Sequence, residues 1–246
     1  KQIPSKMTII TSEQKLADVV LRNYTLIPVV NRFGIELGFG DKTIEAICAE
    51  HKIDAAFFVT LLNTISIESY YSNEKLKMAN TMQLIDYLKK TLENYKHSEI
   101  NVIEIHINQL RDSCPEENIH LQLIENFFIQ FRHEFRQYVD DITRNLFEVV
   151  AGIFQQASSR QSENPPHELP DFAGFQHTCM QLNEKLSDMK SLLIKYLTGK
   201  FDRRIRNAII FIISRFEQDI HNYMRLQYRL LKPMTQEMLI LIHATK

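Results

Sequence analysis

The stretch FRHEFRQYVDDITRNLFEVV, residues 131–150, decides the fold. Its apolar and aromatic side chains recur every three or four residues, which is the spacing of side chains on one face of an α-helix. This pattern predicts a long helix with a single buried stripe. The stripe consists of Phe131, Phe135, Tyr138, Ile142 and Leu146.

The same helical spacing continues through most of the chain after residue 76 and predicts four long helices. The segment 97–113 either extends the first of them or forms a short helix of its own, and the fourth is expected to end before Pro233. The loop at 157–172 is rich in serine and proline. The four predicted helices lie at about 82–95, 118–154, 177–197 and 202–232.

The second and fourth helical patterns resemble each other when one is shifted by 85 residues. Phe131 then meets Phe216, Tyr138 meets Tyr223, and Leu146 meets Leu231. Two related helix hairpins packed antiparallel would form a four-helix bundle. Shared ancestry explains the correspondence, and helical periodicity alone would produce part of it.

The first 65 residues predict two or three short helices. Thr11 or Ser12 is expected to cap the first, and Asp41 or Thr43 the helix that follows a glycine-rich loop at 33–43. A linker is expected at 69–75. The whole chain is therefore predicted to be all-α, and its content of 6 glycines and 7 prolines in 246 residues agrees with long helices.

Charge and cysteine content exclude several classes of protein. Lys+Arg 29 against Asp+Glu 30 gives a net charge of -1, so no global basic field attracts nucleic acid. The three cysteines are far apart, which favours a reducing compartment and gives neither a disulfide framework nor a zinc ribbon. The longest apolar run, 208–213, is too short to span a bilayer. We expect a cytoplasmic protein without membrane contact.

Several stretches resemble the iron-centre repair proteins, which join a small helical N-terminal domain to a hemerythrin-like four-helix bundle. FGIELGFGDKTIEAIC at 33–48 resembles the small domain, although Leu37-Gly38-Phe39-Gly40 stands where the family has its cysteines. LSDMKSLLIKYL at 186–197 is the most specific match in the bundle, where 84–95 and 216–233 also match.

The family's bundle holds two irons through histidines and glutamates, and the resemblance implies that all six ligand positions are replaced in this chain. Leucine and isoleucine cannot donate to a metal, and neutral glutamine is a poor iron ligand. We therefore expect no cofactor and no bound metal, and a core in which these side chains line a cavity. The six positions are Leu92, Tyr138, Ile142, Cys179, Tyr223 and Gln227.

Relocated ligands are the alternative to a lost metal site. His133 and His221 are offset from Tyr138 and Tyr223 by angles that point them away from the bundle axis. His177 precedes Cys179 by two residues and falls on another face or in the loop. A di-iron protein for iron-sulfur repair, or for sensing oxygen or nitric oxide, would need ligands of this kind.

A basic cluster and an acidic pair are the remaining candidate sites. Lys200, Arg203, Arg204 and Arg206 form a candidate phosphate- or partner-binding patch at a predicted helix start, where a solvated surface is the alternative. Glu116-Glu117, within 112–118, is typical of the acidic first turn of a helix.

The last residues, KPMTQEMLILIHATK at 232–246, resemble the first helix of a LuxR-type helix-turn-helix domain, with Thr235 in the place of the capping threonine. The predicted domains are a small helical N-terminal domain at 1–70, a hemerythrin-like bundle at 76–233, and the start of a truncated DNA-binding domain at 234–246.

These features together suggest a non-enzymatic sensory or dimerising module of a transcriptional regulator. The expected partners are a second copy of the chain, a small organic ligand, and DNA only through a C-terminal domain outside this sequence. A protein-interaction domain without any ligand is the remaining alternative.

Overall fold

The computed structural model describes residues 8–70, 76, 78–114, 119–159 and 168–244. These residues are almost entirely helical. The described part of the chain contains no β-strand, and only an isolated antiparallel bridge joins Lys15 to Thr43. The protein is therefore all-α, as the sequence predicts.

Short helices begin the chain: α1 at Leu16–Arg22, α2 at Ile27–Arg32, α3 at Ile44–His51 and α4 at Ala55–Ser66. The prediction that Thr11 or Ser12 caps α1 is wrong, because α1 begins after Lys15 and no side chain bonds its first turn. The backbone carbonyl of Ser12 instead accepts from Glu45 N at 2.9 Å. This hydrogen bond therefore connects the residues before α1 to the first turn of α3.

The glycine-rich loop before α3 is present as predicted. Gly34, Gly38 and Gly40 have φ of 75°, 101° and 63°, which is the region that side chains with a Cβ rarely adopt. Thr43 caps α3, since its hydroxyl accepts a hydrogen bond from Ala46 N at 3.2 Å. The loop thus turns the chain sharply enough to start α3.

Long helices follow and match the four predicted ones. Three of them are interrupted by a single π-helical segment and continue on the other side. The first long helix continues through residues 97–112, so the segment 97–113 extends it. The second long helix continues to Ser159, inside the predicted serine-rich loop. Residues 71–75, 115–118 and 160–167, with Glu116-Glu117, lie outside the described residues. The elements are α5 at Asn80–Asn94, a π segment at Tyr95–Glu99, α6 at Ile100–Asp112, α7 at Ile119–Ile142, a π segment at Thr143–Phe147, α8 at Glu148–Ser159, α9 at Phe172–Lys195, α10 at Arg203–Leu226, a π segment at Gln227–Leu231 and α11 at Lys232–Ala244.

The expected end of the fourth helix before Pro233 is wrong. Lys232 has φ -59° and ψ -51°, and the chain stays helical to Ala244. A proline inside an α-helix collides with the carbonyl four residues earlier, here that of Arg229. Arg229 lies in the π segment at Gln227–Leu231, where the wider turn displaces this carbonyl. Thr235 is consequently inside the helix, with its hydroxyl donating to Leu231 O at 2.7 Å, and caps nothing.

Contacts divide the chain into two compact units. The first unit comprises Lys1–Tyr87, Ile153–His167 and Arg225–Lys246, and the second comprises Leu88–Gly152 and Glu168–Met224. The division crosses the long helices and does not follow the predicted domain boundaries, which stay predictions.

The first unit has a small aromatic core. Phe33 meets Phe58 edge-on and stacks on Tyr87, each with a centroid distance of 5.0 Å. Arg225 donates to Ile65 O at 2.9 Å, and Arg229 donates to Tyr70 O at 3.2 Å. These guanidinium groups satisfy backbone carbonyls at and beyond the C-terminal end of α4.

The second unit buries the predicted stripe of residues 131–146 in full. Tyr95 lies among Phe135, Phe216 and Tyr223, with ring centroids 4.9 to 6.2 Å away. Four ion pairs join the surrounding helices in a closed cycle, from α6 to α7, α7 to α9, α9 to α10, and α10 to the π segment that precedes α6. These pairs are Glu104–Arg132, Glu134–Lys185, Lys190–Glu217 and Arg215–Glu99.

Candidate functional site

The side chains at the six positions that the resemblance aligns with metal ligands are all buried, with at most 3% exposed. Five of them belong to the second unit, and Gln227 belongs to the first. The helical spacing explains this placement, since each position continues an apolar stripe of its own helix. Whether they line a common cavity stays a prediction, although Tyr138 does line the groove described below.

Tyr138, Cys179 and Tyr223 influence one another inside the second unit. Burial raises the pKa of Cys179 to about 12. Burial, followed by the nearby Tyr223 and Cys179, raises the pKa of Tyr138 well above its ordinary value. Burial and then Cys179 do the same to the pKa of Tyr223. All three groups therefore stay protonated and neutral at pH 7, a form that binds metal ions poorly.

The hydroxyl of Tyr138 is buried without a hydrogen-bond partner among the described residues. Cys179 and Tyr223 are close enough to shift its pKa, but neither meets the geometry of a hydrogen bond with it.

The histidines do not assemble a replacement site. His133, His177 and His221 are exposed. The Nδ1 atom of His221 lies 2.8 Å from Glu217 O and 3.2 Å from Asn183 Nδ2. No three His, Cys, Asp or Glu side chains within the described ranges gather as a metal-binding group. The donors present in the core thus do not fit the two irons that the resemblance implies.

The π-helical segments were not predicted, and each lies in or near one of these six positions. Leu92 lies three residues before the segment at Tyr95–Glu99, Ile142 directly precedes Thr143–Phe147, and Gln227 begins Gln227–Leu231. Each segment adds one residue to a turn, so the buried stripe shifts by one position.

A groove of about 610 Å³ lies between α7 and α9 in the second unit. Its α7 side includes Glu134, Gln137 and Asp141, which fall on one helix face because they are three or four residues apart. Its α9 side includes Glu184 and Asp188, one turn apart. The groove was not predicted, because no sequence motif marks its lining residues.

Aromatic rings and one ion pair complete the groove. Tyr138 and Phe175 line it and meet edge-on, with centroids 6.5 Å apart. Lys185 donates to both carboxylate oxygens of Glu134 at 2.5 and 2.6 Å. The volume of the groove lies in the range of small-molecule sites, and its lining is mostly polar.

The basic cluster at the start of α10 is on the surface of the second unit. Lys200, Arg203 and Arg204 are exposed, and Arg206 is half-buried. Asp202 accepts a hydrogen bond from Arg204 N at 2.7 Å, and this bond holds the pKa of Asp202 below its ordinary value. A carboxylate therefore already occupies the N-terminal end of α10, and binding of phosphate at this cluster stays a prediction.

Comparison with protein-family models found no match, and comparison with curated proteins found no significant relative. Within the part of the chain that the structure describes, no helix is both long and apolar enough to cross a membrane.

Proposed function

We propose that this chain is a non-enzymatic sensory module, with a capacity to dimerise, of a transcriptional regulator. In this proposal the second unit contains a hemerythrin-like bundle that has lost its metal. The closed cycle of ion pairs from α6 through α7, α9 and α10 supports the bundle, because each helix contacts the next and the last returns to the first.

One observation carries the proposal: the interior holds neutral phenol, thiol and aliphatic groups where the resembling family holds imidazoles and carboxylates. Burying the charge of two irons among Leu92, Ile142 and protonated Tyr138 would be very unfavourable. A core of this kind can respond to an organic ligand or a partner through packing. It cannot bind oxygen or nitric oxide at a metal.

The signal acts by changing the relative stability of two helix packings. The three π segments are suited to this, because a π-helical turn can move along a helix and rotate the side chains beyond it. DNA contact belongs to another domain of the regulator, since a net charge of -1 gives this chain no basic field.

Metal content tests the proposal against the di-iron alternative. Protein purified from iron-replete cells is analysed by inductively coupled plasma mass spectrometry. We expect almost no iron, whereas a working di-iron protein would contain about two irons per chain. Stoichiometric transition metal in the wild-type protein would overturn the proposal.

A ligand-restored variant is the positive control for that measurement. It combines Tyr138→His, Cys179→His and Tyr223→His with Ile142→Glu, all within the second unit. Once circular dichroism shows that the variant is folded, we expect it to retain about one iron per chain, because three imidazoles and a carboxylate suit ferrous iron. A wild-type protein that retains as much iron as the iron-loaded variant would contradict the loss of the site.

The regulatory part of the proposal has its own test. The natural gene product is passed over sheared genomic DNA on a solid support at physiological salt, beside residues 1–246 alone. We expect only a protein with an additional reader domain to be retained. Failure of the natural product to bind DNA would leave a protein-interaction domain as the better description.

A further inference from the structure

The solvent-facing side of α9 separates its charges along its length. Glu184, Asp188, Ser191 and Lys195 follow one another at spacings of three or four residues, so they share one face of the helix. The two carboxylates precede Ser191, and the ammonium group of Lys195 follows it. This face is therefore acidic in its first part and basic at its C-terminal end, where the exposed Lys200 follows in the next loop.

The charged groups of this face have no opposite charge within reach on their own helix. Glu184 and Asp188 are one turn apart and repel each other. Lys195 is seven residues from Asp188, about 10 Å along the axis, which is too far for an ion pair. The ion pairs that α9 forms with other described residues use Lys185 and Lys190 instead. The charges on the face are thus left for a second molecule.

A second copy of the chain presents the opposite charges in the required order. When two identical helices pack antiparallel about a two-fold axis, each contact occurs twice. With the axis half-way between Asp188 and Lys195, Asp188 of each copy faces Lys195 of the other, and Glu184 falls beside Lys200. Seven residues bring Asp188 and Lys195 to within about 20° of each other around the helix, so both lie on the same flank, as this symmetry requires.

Apolar side chains lie at the height of that axis, along the boundary of α7 and α9. The two helices run antiparallel, as their contacts at the groove show. The helical rise then places Leu123 and Phe127 of α7 level with Tyr196 and Leu192 at the end of α9. Leu123 is 51% exposed and Tyr196 is 54% exposed. Burying them adds a hydrophobic contribution that exposed ion pairs alone do not supply.

The size of this surface is sufficient for a stable contact. α9 has 24 residues and is therefore about 36 Å long. With the adjacent edge of α7 it forms a strip about 20 Å wide, which gives about 700 Å² per copy. Stable protein–protein contacts bury about 800 Å² per partner.

We infer that the exposed face of α9 is the contact surface of a symmetric dimer of this chain, in which Asp188 of each copy pairs with Lys195 of the other. This inference rests on the proposed function, whose capacity to dimerise it assigns to a surface. Because α9 also packs on α7, a change in the packing of these two helices alters the dimer contact.

Sedimentation equilibrium of the complete chain tests the inference through an exchange of charges. We expect a dimer with a Kd between about 1 μM and 100 μM. Asp188→Lys and Lys195→Asp should each raise the Kd about tenfold to hundredfold, because each places like charges opposite one another at two symmetry-related contacts. The double variant, Asp188→Lys with Lys195→Asp, should return to within about threefold of the wild-type Kd, because acid and base then exchange places.

Glu93→Lys is the matched control. It makes the same charge reversal on α5, outside the proposed face, at a side chain that is 54% exposed. Its Kd should equal that of the wild-type protein. Circular dichroism at 222 nm checks that every variant is folded before its mass is measured.

Four results would overturn the inference: a wild-type chain that stays monomeric up to about 500 μM, equal weakening by Glu93→Lys and Asp188→Lys, a double variant no better than the single ones, or a mass that continues to rise beyond the dimer. The iron content of the same sample separates this inference from the proposed function. A monomeric chain with almost no iron removes the dimer surface and leaves the metal-free sensory function. Stoichiometric iron together with rescue by the double variant removes that function and leaves the surface.

Discussion

Two buried polar side chains, Asn63 in the first unit and Tyr138 in the second, are treated in opposite ways. The side-chain oxygen of Asn63 accepts from Ile10 N at 2.8 Å, and its side-chain nitrogen donates to Ile10 O at 2.8 Å. The hydroxyl of Tyr138 has no hydrogen-bond partner among the described residues. Both side chains are at least 97% buried.

The difference separates a buried polar group that stabilises the fold from one that lowers its stability. A buried amide with two hydrogen bonds fixes the chain that it contacts, and removing it leaves two backbone groups unsatisfied. A buried hydroxyl without a partner has lost its hydrogen bonds to water and gained none in return, so it lowers the stability of the folded state. Asn63 thus fixes the residues before α1 by hydrogen bonds, whereas Tyr138 is held in the second unit by the aromatic rings around it.

The largest expected effect comes from Asn63→Ala. The substitution leaves the N–H and the C=O of Ile10 without partners in a buried position, and should lower the free energy of unfolding by about 2–4 kcal/mol. Urea unfolding followed by circular dichroism at 222 nm measures this change.

Asn101→Ala is the control for that substitution. Asn101 is exposed and donates a single hydrogen bond to His97 O at 2.8 Å, so its loss should change the stability by no more than about 0.5 kcal/mol. Equal effects of the two substitutions would mean that Asn63 does not fix the start of the chain.

The second effect concerns two buried thiols, one in each unit. Burial raises the pKa of Cys48 to about 11 and that of Cys179 to about 12, from 9.0 in an exposed cysteine. Burial favours the protonated thiol in the folded state. The stability that depends on this protonated form is therefore fully present below pH 9 and is lost as the pH rises from 9 toward 11 or 12. Each thiol should lower the free energy of unfolding by about 1.4 kcal/mol per pH unit above pH 9.

Denaturation series between pH 7 and pH 10 measure this loss in the wild-type protein, in Cys48→Ala and in Cys179→Ala. Each substitution should reduce the slope above pH 9 by about one proton. An unchanged slope in Cys179→Ala would show that the thiol is accessible to water, and that the second unit is less tightly packed than the first.

The sequence was sufficient for the all-α class and for the face that the longest helices bury, but not for every helix end. The stripe from Phe131 to Leu146 and the glycine-rich loop before Thr43 are both where the pattern predicts them. The reason is local: helical periodicity and turn chemistry act over a few residues and need no tertiary information.

Several tertiary features could not be predicted from the sequence. A proline such as Pro233 normally ends a helix, and here the preceding π segment lets the helix continue. The groove depends on which faces of α7 and α9 meet, and the acidic residues on these faces also fit a solvated surface. Helix periodicity fixes which residues share a face but gives no information about the facing helix.

The smallest expected effect is that of Tyr138→Phe, and it bears directly on the opening comparison. The substitution removes only the hydroxyl without a partner and keeps the ring against Phe135 and Phe175. Since a buried polar atom without a hydrogen bond is costly, we expect the stability to stay the same or rise by up to about 1 kcal/mol. Urea unfolding measures this change in stability. Tyr196→Phe is the control, since Tyr196 is about half exposed and its substitution should have no effect.

A loss of more than about 1 kcal/mol would show that Tyr138 does hydrogen-bond in solution, with Cys179 and Tyr223 as the nearest candidates. The two units would then handle buried polar groups in the same way.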